Sequence, residues 1–328
     1  MNVEIVTKLR GVKLAAWQKL IQSSGLSIGE PVDKIALVWD NDELIATASR
    51  YENLFKYIVV DPSRQGEDLT ATVISALRSD AFADGYKHLF LYTKPENERI
   101  FSSLFFYPIA STSTVLLMES QQNGIGDFIA SLTEEKRSGK IGALVMNCNP
   151  FTLGHRALIE AAASECDHVY VFVLSEDKSQ FSAKDRLEMV KLGVADIKNV
   201  TVLKTGPYLI SSATFPTYFI KDRESTAEIQ CLLDIEIFTR YFAPALSINV
   251  RYVGTEPYSE VTKKYNQALS EHLPKKSVDL VEIDRICANG TAISASLVRE
   301  YIADKNVEAL RDLVPQTTLK YLIDNNLI

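Results

Sequence analysis

Apolar and polar positions alternate differently in the two halves of the chain. Before residue 120 the apolar runs are short and bounded by turn residues. Lys34 to Asp40 and Glu43 to Ser49 predict two strands joined across Asn41-Asp42 as a hairpin, with Tyr57 to Val60, His88 to Tyr92 and Ser113 to Met118 as further strands. Helical spacing covers Lys13 to Gln22, Leu69 to Arg78 and a short stretch near Glu96 to Leu104. Such an order predicts an α+β unit with a mostly antiparallel sheet over residues 1–120. The apolar runs then break from Glu119 to Gly126, and Glu134 to Lys140 is strongly polar. Residues 121–139 are therefore expected to form a linker with a short helix, Asp127 to Leu132.

From residue 140 to 328 strands and helices alternate, which predicts a parallel sheet with crossover helices. The strands are Ile141 to Met146, Val169 to Leu174, Val200 to Leu203, Ser247 to Val253 and Val278 to Ile283. Helices are expected at Arg156 to Ser164, Ser182 to Leu192, Pro216 to Thr239, Tyr258 to Leu269 and Ser294 to Asp304, then two short ones split at Pro315. The fold class is α/β: an α+β domain followed by a Rossmann-like parallel-sheet domain.

Two strand-to-helix turns in the second half carry candidate chemistry. In Asn147-Cys148-Asn149-Pro150-Phe151-Thr152-Leu153-Gly154-His155, Pro150 stiffens the turn and Gly154 removes a side chain that would keep a polyphosphate off the backbone. The helix that follows offers unpaired N–H groups and a positive dipole end, and His155 adds either a donor or a cap. In Gly290-Thr291-Ala292-Ile293-Ser294-Ala295-Ser296-Leu297-Val298-Arg299, Ser294 and Ser296 can cap the helix or bind phosphate oxygens, and Arg299 can reach the same anion with a planar fork. Lys184 and Arg186 open another crossover helix, where charges are usually at the surface.

Composition narrows the classes. With 328 residues, 46% apolar and 23% charged, the chain is that of an ordinary globular protein with room for two domains. A net charge of −7 weighs against a basic surface for nucleic acid. No apolar run approaches the ~20 residues needed to span a bilayer, and no signal peptide is visible, so a cytoplasmic protein without a membrane partner is expected. Cys148, Cys166, Cys231 and Cys287 form no C-x-x-C pair, so neither a zinc site nor a disulfide framework is indicated.

Thr152-Leu153-Gly154-His155 resembles the T/H-x-G-H signature of the nucleotidyltransferase superfamily, and Ile293-Ser294-Ala295-Ser296-Leu297-Val298-Arg299 resembles its second signature, I-S-x-[ST]-x-x-R. With Lys204 to Phe219, which includes Ser211, Ser212 and Thr214, and with Gly254-Thr255-Glu256-Pro257, the chain resembles the citrate (pro-3S)-lyase ligase family over nearly its whole length. That resemblance implies an N-acetyltransferase-like domain joined to an adenylylating domain. ATP and acetate would form acetyl adenylate and pyrophosphate, and the acetyl group would pass to the phosphoribosyl-dephospho-CoA prosthetic group on the citrate lyase acyl carrier subunit. His155 and Arg299 would stabilise transition-state charge. Asn149, Pro150, Phe151, Thr152, Gly154, Thr255, Glu256, Ile293, Ser294 and Ser296 would bind ATP, with Mg²⁺ held through its phosphates and no metal held by the protein.

Within the first domain an acetyltransferase phosphate turn would read Q/R-x-x-G-x-G/A. This chain keeps Gln65 and Gly66 as possible contacts for the prosthetic group, but has Asp68 and Thr70 where small residues belong. A retained fold that docks the carrier or its prosthetic arm is expected. Three rivals share some of these features: a pantetheine-phosphate-type adenylyltransferase, a plain acetyltransferase, and a non-catalytic nucleotide sensor or scaffold.

Overall fold

The computed structural model describes residues 2–177, 179–209, 215, 217–219, 226–255, 260–288 and 291–328. Glu256, Gly290, Ser211, Ser212 and Thr214 lie outside the described residues. Two compact units divide the chain, Met1–Ile125 with Phe215–Ile229, and Gly126–Thr214 with Gln230–Ile328.

In the first unit the strands are β1 (Val3–Val6), β2 (Lys34–Asp40), β3 (Glu43–Tyr51), β4 (Leu54–Val60), β5 (Phe90–Thr93), β6 (Tyr107–Ser111) and β7 (Leu116–Glu119). They form one sheet in the order β1-β2-β3-β4-β5-β7-β6, antiparallel except where β4 meets β5. This is the expected α+β arrangement. Helices α1 (Gly11–Ser23) and α2 (Leu69–Ala83) cover opposite faces. Ile35, Leu37, Tyr57 and Val59 pack with Trp17 and Leu20 of α1, whereas Ala36, Val38, Ala46 and Ala48 pack with Val73 and Leu77 of α2. Burial on both faces explains why β2 and β3 read as near-continuous apolar runs. Tyr218 joins the α1 side, 4.4 Å from the Tyr57 ring.

Two strands depart from expectation. β1 was not anticipated, because all four of its residues are half-buried and give no period-2 contrast. The strand expected from Ser113 to Met118 is β7, which begins at Leu116, and β6 before it was not anticipated, Pro108 interrupting it at a register shift. A five-residue helix, α3 (Glu98–Ser102), precedes β6, and α4 (Gly124–Leu132) follows β7.

In the second unit β8 (Ile141–Met146), β9 (His168–Val173), β10 (Val200–Lys204), β11 (Val250–Gly254) and β12 (Asp279–Ile283) make the expected all-parallel sheet, in the order β10-β9-β8-β11-β12. Strand order reverses between β8 and β11. The carboxyl ends of these two strands are therefore the topological switch point, where open α/β sheets collect ligands. The helices are α5 (Leu153–Glu165), α6 (Ala183–Gly193), α7 (Thr226–Ile237), α8 (Ala243–Leu246), α9 (Glu260–His272), α10 (Ala295–Ala303), α11 (Val307–Leu310) and α12 (Gln316–Asp324). The helix expected from Pro216 runs from Thr226 among the described residues and passes through a π-helical turn, Phe238–Phe242. A small hairpin, β13 (Cys287–Ala288) with β14 (Thr291–Ala292), was not anticipated although Asn289-Gly290 is a strong turn signal. Among the described residues no helix is long and apolar enough to cross a membrane.

Candidate active site

β8 ends at Met146 and hands the chain to a loop that is wired from beneath. Cys148 is buried with φ at +51°, and the Asn149–Pro150 peptide bond is cis. Arg186, expected at the surface, is instead fully buried on α6. Its Nε donates to the Phe181 carbonyl at 3.1 Å and one terminal nitrogen to the Asn147 carbonyl at 2.9 Å, while the other donates to the Glu176 carbonyl. The same guanidinium also donates to the Asn147 side chain. Asn149 adds a further tie, its Oδ1 accepting from the Phe181 N–H at 3.1 Å. A buried charge thus meets a ring of carbonyl dipoles, and the loop after β8 is held in one shape.

Thr152 caps α5, and His155 returns the favour. The Thr152 hydroxyl accepts from the His155 N–H at 3.3 Å, and His155 Nδ1 accepts from the Thr152 N–H at 3.1 Å and lies 2.9 Å from the Thr152 hydroxyl. This is a capping box with imidazole in the position usually held by Glu or Gln. Because Nδ1 accepts, the proton of the neutral ring sits on Nε2. Some ring surface remains exposed, but burial and then the charge of Arg285 push the pKa from 6.5 down to about 4. His155 is therefore a neutral donor at ordinary pH.

Phe151 backs this imidazole. Its fully buried ring stacks on His155 with centroids 5.9 Å apart and planes 14° apart. On another side it presses on Gly193, the last residue of α6, so closely that a Cβ there would lie 2.3 Å from a ring carbon.

The second turn meets the first directly. Ser294 caps α10, its hydroxyl accepting from the Leu297 N–H at 3.2 Å. Arg299 donates to the Asn149 carbonyl at 2.7 Å and to Ser296 Oγ at 3.0 Å, so one guanidinium joins both turns. Each serine hydroxyl accepts here and keeps its own proton for donation to an oxyanion. Gly154 lies against the Ile293 carbonyl, where a Cβ would come within 3.2 Å of the oxygen. Its near neighbour on that side is thus protein backbone.

Thr255 follows β11 and acts as an anchor. Its N–H donates to the Ile283 carbonyl at 2.9 Å, its hydroxyl accepts from the Arg285 N–H at 3.3 Å and its carbonyl from Arg285 Nε at 2.7 Å. Asn149, Pro150, Phe151, Thr152, Gly154, His155, Ile293, Ser294, Ser296 and Arg299 form one connected set, and Thr255 joins it through Arg285. Glu256 lies outside the described residues. Gln65 and Gly66 belong to the first unit, exposed in the turn before α2. There Gly66 has φ +90° and Asp68 φ +54°, and Arg64 is bound to Glu67 at 2.7 Å and Asp40 at 2.6 Å. The one arginine of that turn already faces two carboxylates, which makes a poor phosphate cradle. Arg285 was missed by sequence reasoning. The available signal was a basic residue two positions past a strand end on the ligand edge of a parallel sheet.

Chemically, the set offers neutral and cationic donors converging at two helix N-termini, suited to stabilising charge on a transferring phosphoryl group. The family described as the citrate lyase ligase C-terminal domain matches residues 141–322. The chain is similar to the citrate (pro-3S)-lyase ligase of Haemophilus influenzae, 37% identical over 94% of this chain and 95% of that protein. It is similar to the protein of the same name from Escherichia coli, 38% identical over 97% of this chain and 92% of that one. A phosphopantetheine adenylyltransferase of Streptococcus equi is 30% identical over 33% of this chain and 68% of its own length.

Proposed function

The chain belongs to the citrate lyase ligase family, and on that footing we propose that it joins acetate to ATP as acetyl adenylate and then acetylates the carrier subunit of citrate lyase. It is an enzyme, an ATP-using ligase whose product activates citrate lyase. The acceptor is the thiol of the phosphoribosyl-dephospho-CoA prosthetic group. One observation carries the adenylation step: Arg299 bonds the Asn149 carbonyl, drawing both phosphate-type turns together beside a neutral His155 at the strand-order reversal.

An acetate oxygen attacks the α-phosphorus of ATP. The new O–P bond forms as the bond to the β-phosphate oxygen breaks, and pyrophosphate leaves with the electron pair. His155 Nε2–H and Arg299 stabilise charge spreading over the α-phosphate and the leaving group, and Ser294, Ser296 and the N-termini of α5 and α10 shape the polyphosphate site. In the second step the thiol sulfur bonds to the acetyl carbon, AMP departs, and the thiol proton is lost to water. Among the described residues no cluster of three His, Cys, Asp or Glu is arranged to hold a metal. In this reading Mg²⁺ would arrive on the phosphates of ATP, where it would neutralise phosphate charge.

Residues 140–328 form the adenylylating domain in this reading, residues 121–139 the linker, and residues 1–120 the dock for the carrier or its prosthetic arm. Asp68 at the head of α2 and the Arg64–Glu67 pair support a role other than CoA pyrophosphate binding. A cytoplasmic location follows from the substrates.

Acetate-dependent exchange of labelled pyrophosphate into ATP, with Mg²⁺ and without carrier, tests the reading. Exchange that requires acetate and is lost in His155→Ala is expected. Exchange driven by a phosphopantetheine substrate instead of acetate would overturn it.

A further inference from the structure

We infer that Phe215 and Tyr218 stopper a cleft inside the first sheet, so that this unit admits the amide-bearing thiol arm of the carrier only when residues 215–219 lift away. The inference rests on the reading of the unit as the dock and adds the control of its entrance. β4 and β5 are parallel neighbours, but their pairing ends after Leu54 with Phe90 and Phe55 with Leu91. Each strand runs on, β4 to Val60 and β5 to Thr93, still paired on its other side to β3 or β7. Neighbouring strands that part in mid-sheet leave backbone N–H and C=O groups facing a gap, and buried groups of that kind need partners. A bulge marks the parting: Tyr57 has φ +51°, and the register of β3 on β4 shifts between Thr47 and Ser49. The chemistry that fits between two strand edges is an extended chain carrying amides. A pantetheine arm, with amides along its length and a thiol at its tip, is such a chain.

The protein fills this gap from its own chain. Residues 215–229 belong to the first unit, although they follow β10 in sequence. One aromatic ring covers each of the parted strands. Tyr218 lies 4.4 Å from the Tyr57 ring of β4, and Phe215 meets Tyr92 of β5 edge-on at 5.5 Å, both incoming rings being buried. Burial pushes the Tyr218 phenol up and the Tyr57 backbone N–H draws it the other way, so the phenol faces the bulge. A clasp between α1 and β2 holds the strap in place. The Glu30 carboxylate accepts from the Thr217 N–H, from the Tyr218 N–H at 3.1 Å and from the Thr217 hydroxyl at 3.2 Å. Lys56, buried on β4, pairs with the same carboxylate at 2.8 Å, and the Ser27 N–H donates to the Tyr218 carbonyl at 2.8 Å. Among the described residues the strap pairs with neither β4 nor β5. Rings and one carboxylate hold it, contacts that open locally while the sheet stays folded.

The test titrates free pantetheine into the full-length chain and follows tryptophan emission. Trp17 and Trp39 are the chain's two tryptophans and both belong to the first unit, Trp17 standing 5.4 Å from the Tyr57 ring, so the signal reports this cleft and not the nucleotide site. An open state populated on the order of 1–10% weakens the apparent affinity of its ligand by about tenfold to a hundredfold. The double variant Phe215→Ala with Tyr218→Ala is expected to bind pantetheine more tightly than wild type by that factor, with Glu30→Gln, which loosens only the clasp, in between. Equal affinity in wild type and the double variant overturns the inference, as does the lack of a saturable response in a double variant that keeps its native emission. Where the double variant has lost its native emission, Glu30→Gln decides alone, and wild-type affinity there overturns the inference. A double variant that responds to pantetheine but not to the carrier subunit bearing its prosthetic group would sink the docking reading instead and leave the strap standing.

Discussion

Gly154→Ala separates two reasons for a glycine at the head of α5. The added Cβ would sit 3.2 Å from the Ile293 carbonyl oxygen, 3.5 Å from the Thr152 hydroxyl and 3.6 Å from the Ile293 Cβ. The first of these is tighter than an ordinary contact, and the obstructing atom is backbone, so the two turns must part by a few tenths of an ångström. Overpacking of this kind costs about 1–3 kcal/mol, and alanine returns up to ~1 kcal/mol through helix propensity. A net stability loss of about 0–3 kcal/mol is expected from those two figures. Ile293 adjoins the Ser294 cap of the helix carrying Arg299, so the displacement reaches the bond between Arg299 and Asn149. A misplacement near 1 Å costs about a hundredfold in rate, and a few tenths should cost roughly threefold to tenfold. Pyrophosphate exchange and urea unfolding measure the two effects. Wild-type rate and stability in Gly154→Ala would refute the claim that the turns are pressed together here. A loss far beyond tenfold, with ATP affinity lost as well, would show that the missing side chain serves the phosphates rather than Ile293.

Other expectations follow from the same geometry. His155→Ala should lower exchange by about 10²–10³-fold while ATP affinity measured by calorimetry changes modestly, the pattern of a donor used mainly in the transition state. Because the folded His155 pKa of about 4 lies below its ordinary 6.5, the unfolded chain takes up a proton that the folded chain refuses, and stability should fall as pH drops from 6.5 toward 4. Urea melts across that window should reveal a slope worth on the order of 2–3 kcal/mol that His155→Gln removes, and exchange in the wild type should persist until pH approaches 4. Arg186→Met should destabilise by about 3 kcal/mol or more, since three buried or half-buried carbonyls lose a charged donor, and thermal melts will detect it. Chelating Mg²⁺ should abolish exchange and leave the melting curve of the nucleotide-free protein unmoved.

Local features were legible in the sequence to the extent that local rules make them. The central parallel strands stood out because strands buried on both faces carry unbroken apolar runs, as Val169–Val173 of β9 does. Ser294 could be read as a helix start because capping depends on residues three apart, whereas the helix expected from Arg156 begins three residues earlier, at Leu153, behind a Thr152 cap that the sequence reading did not single out. The meeting of the two turns was not legible as geometry, since it depends on Arg299 reaching a carbonyl 150 positions away in sequence. Arg186 misled for the same reason: beside Lys184 and Asp185 it looks solvated, and only the folded chain gathers the carbonyls of Asn147, Glu176 and Phe181 around it. β1 and β6 were missed where half-burial or a proline erased the period-2 signal.

The ring of Phe151, wedged between Gly193 and His155, gives the enzyme a lever arm. Gly193 terminates a helix and would appear in no roster of residues near ATP, yet a single methyl group there has nowhere to go except into a ring that is itself flush with the imidazole. A surveyor of natural variants who scores each position by its distance from substrate would pass Gly193→Ala as benign. The packing says otherwise: its cost would surface as lost turnover, transmitted by one rigid aromatic plate from the far end of α6.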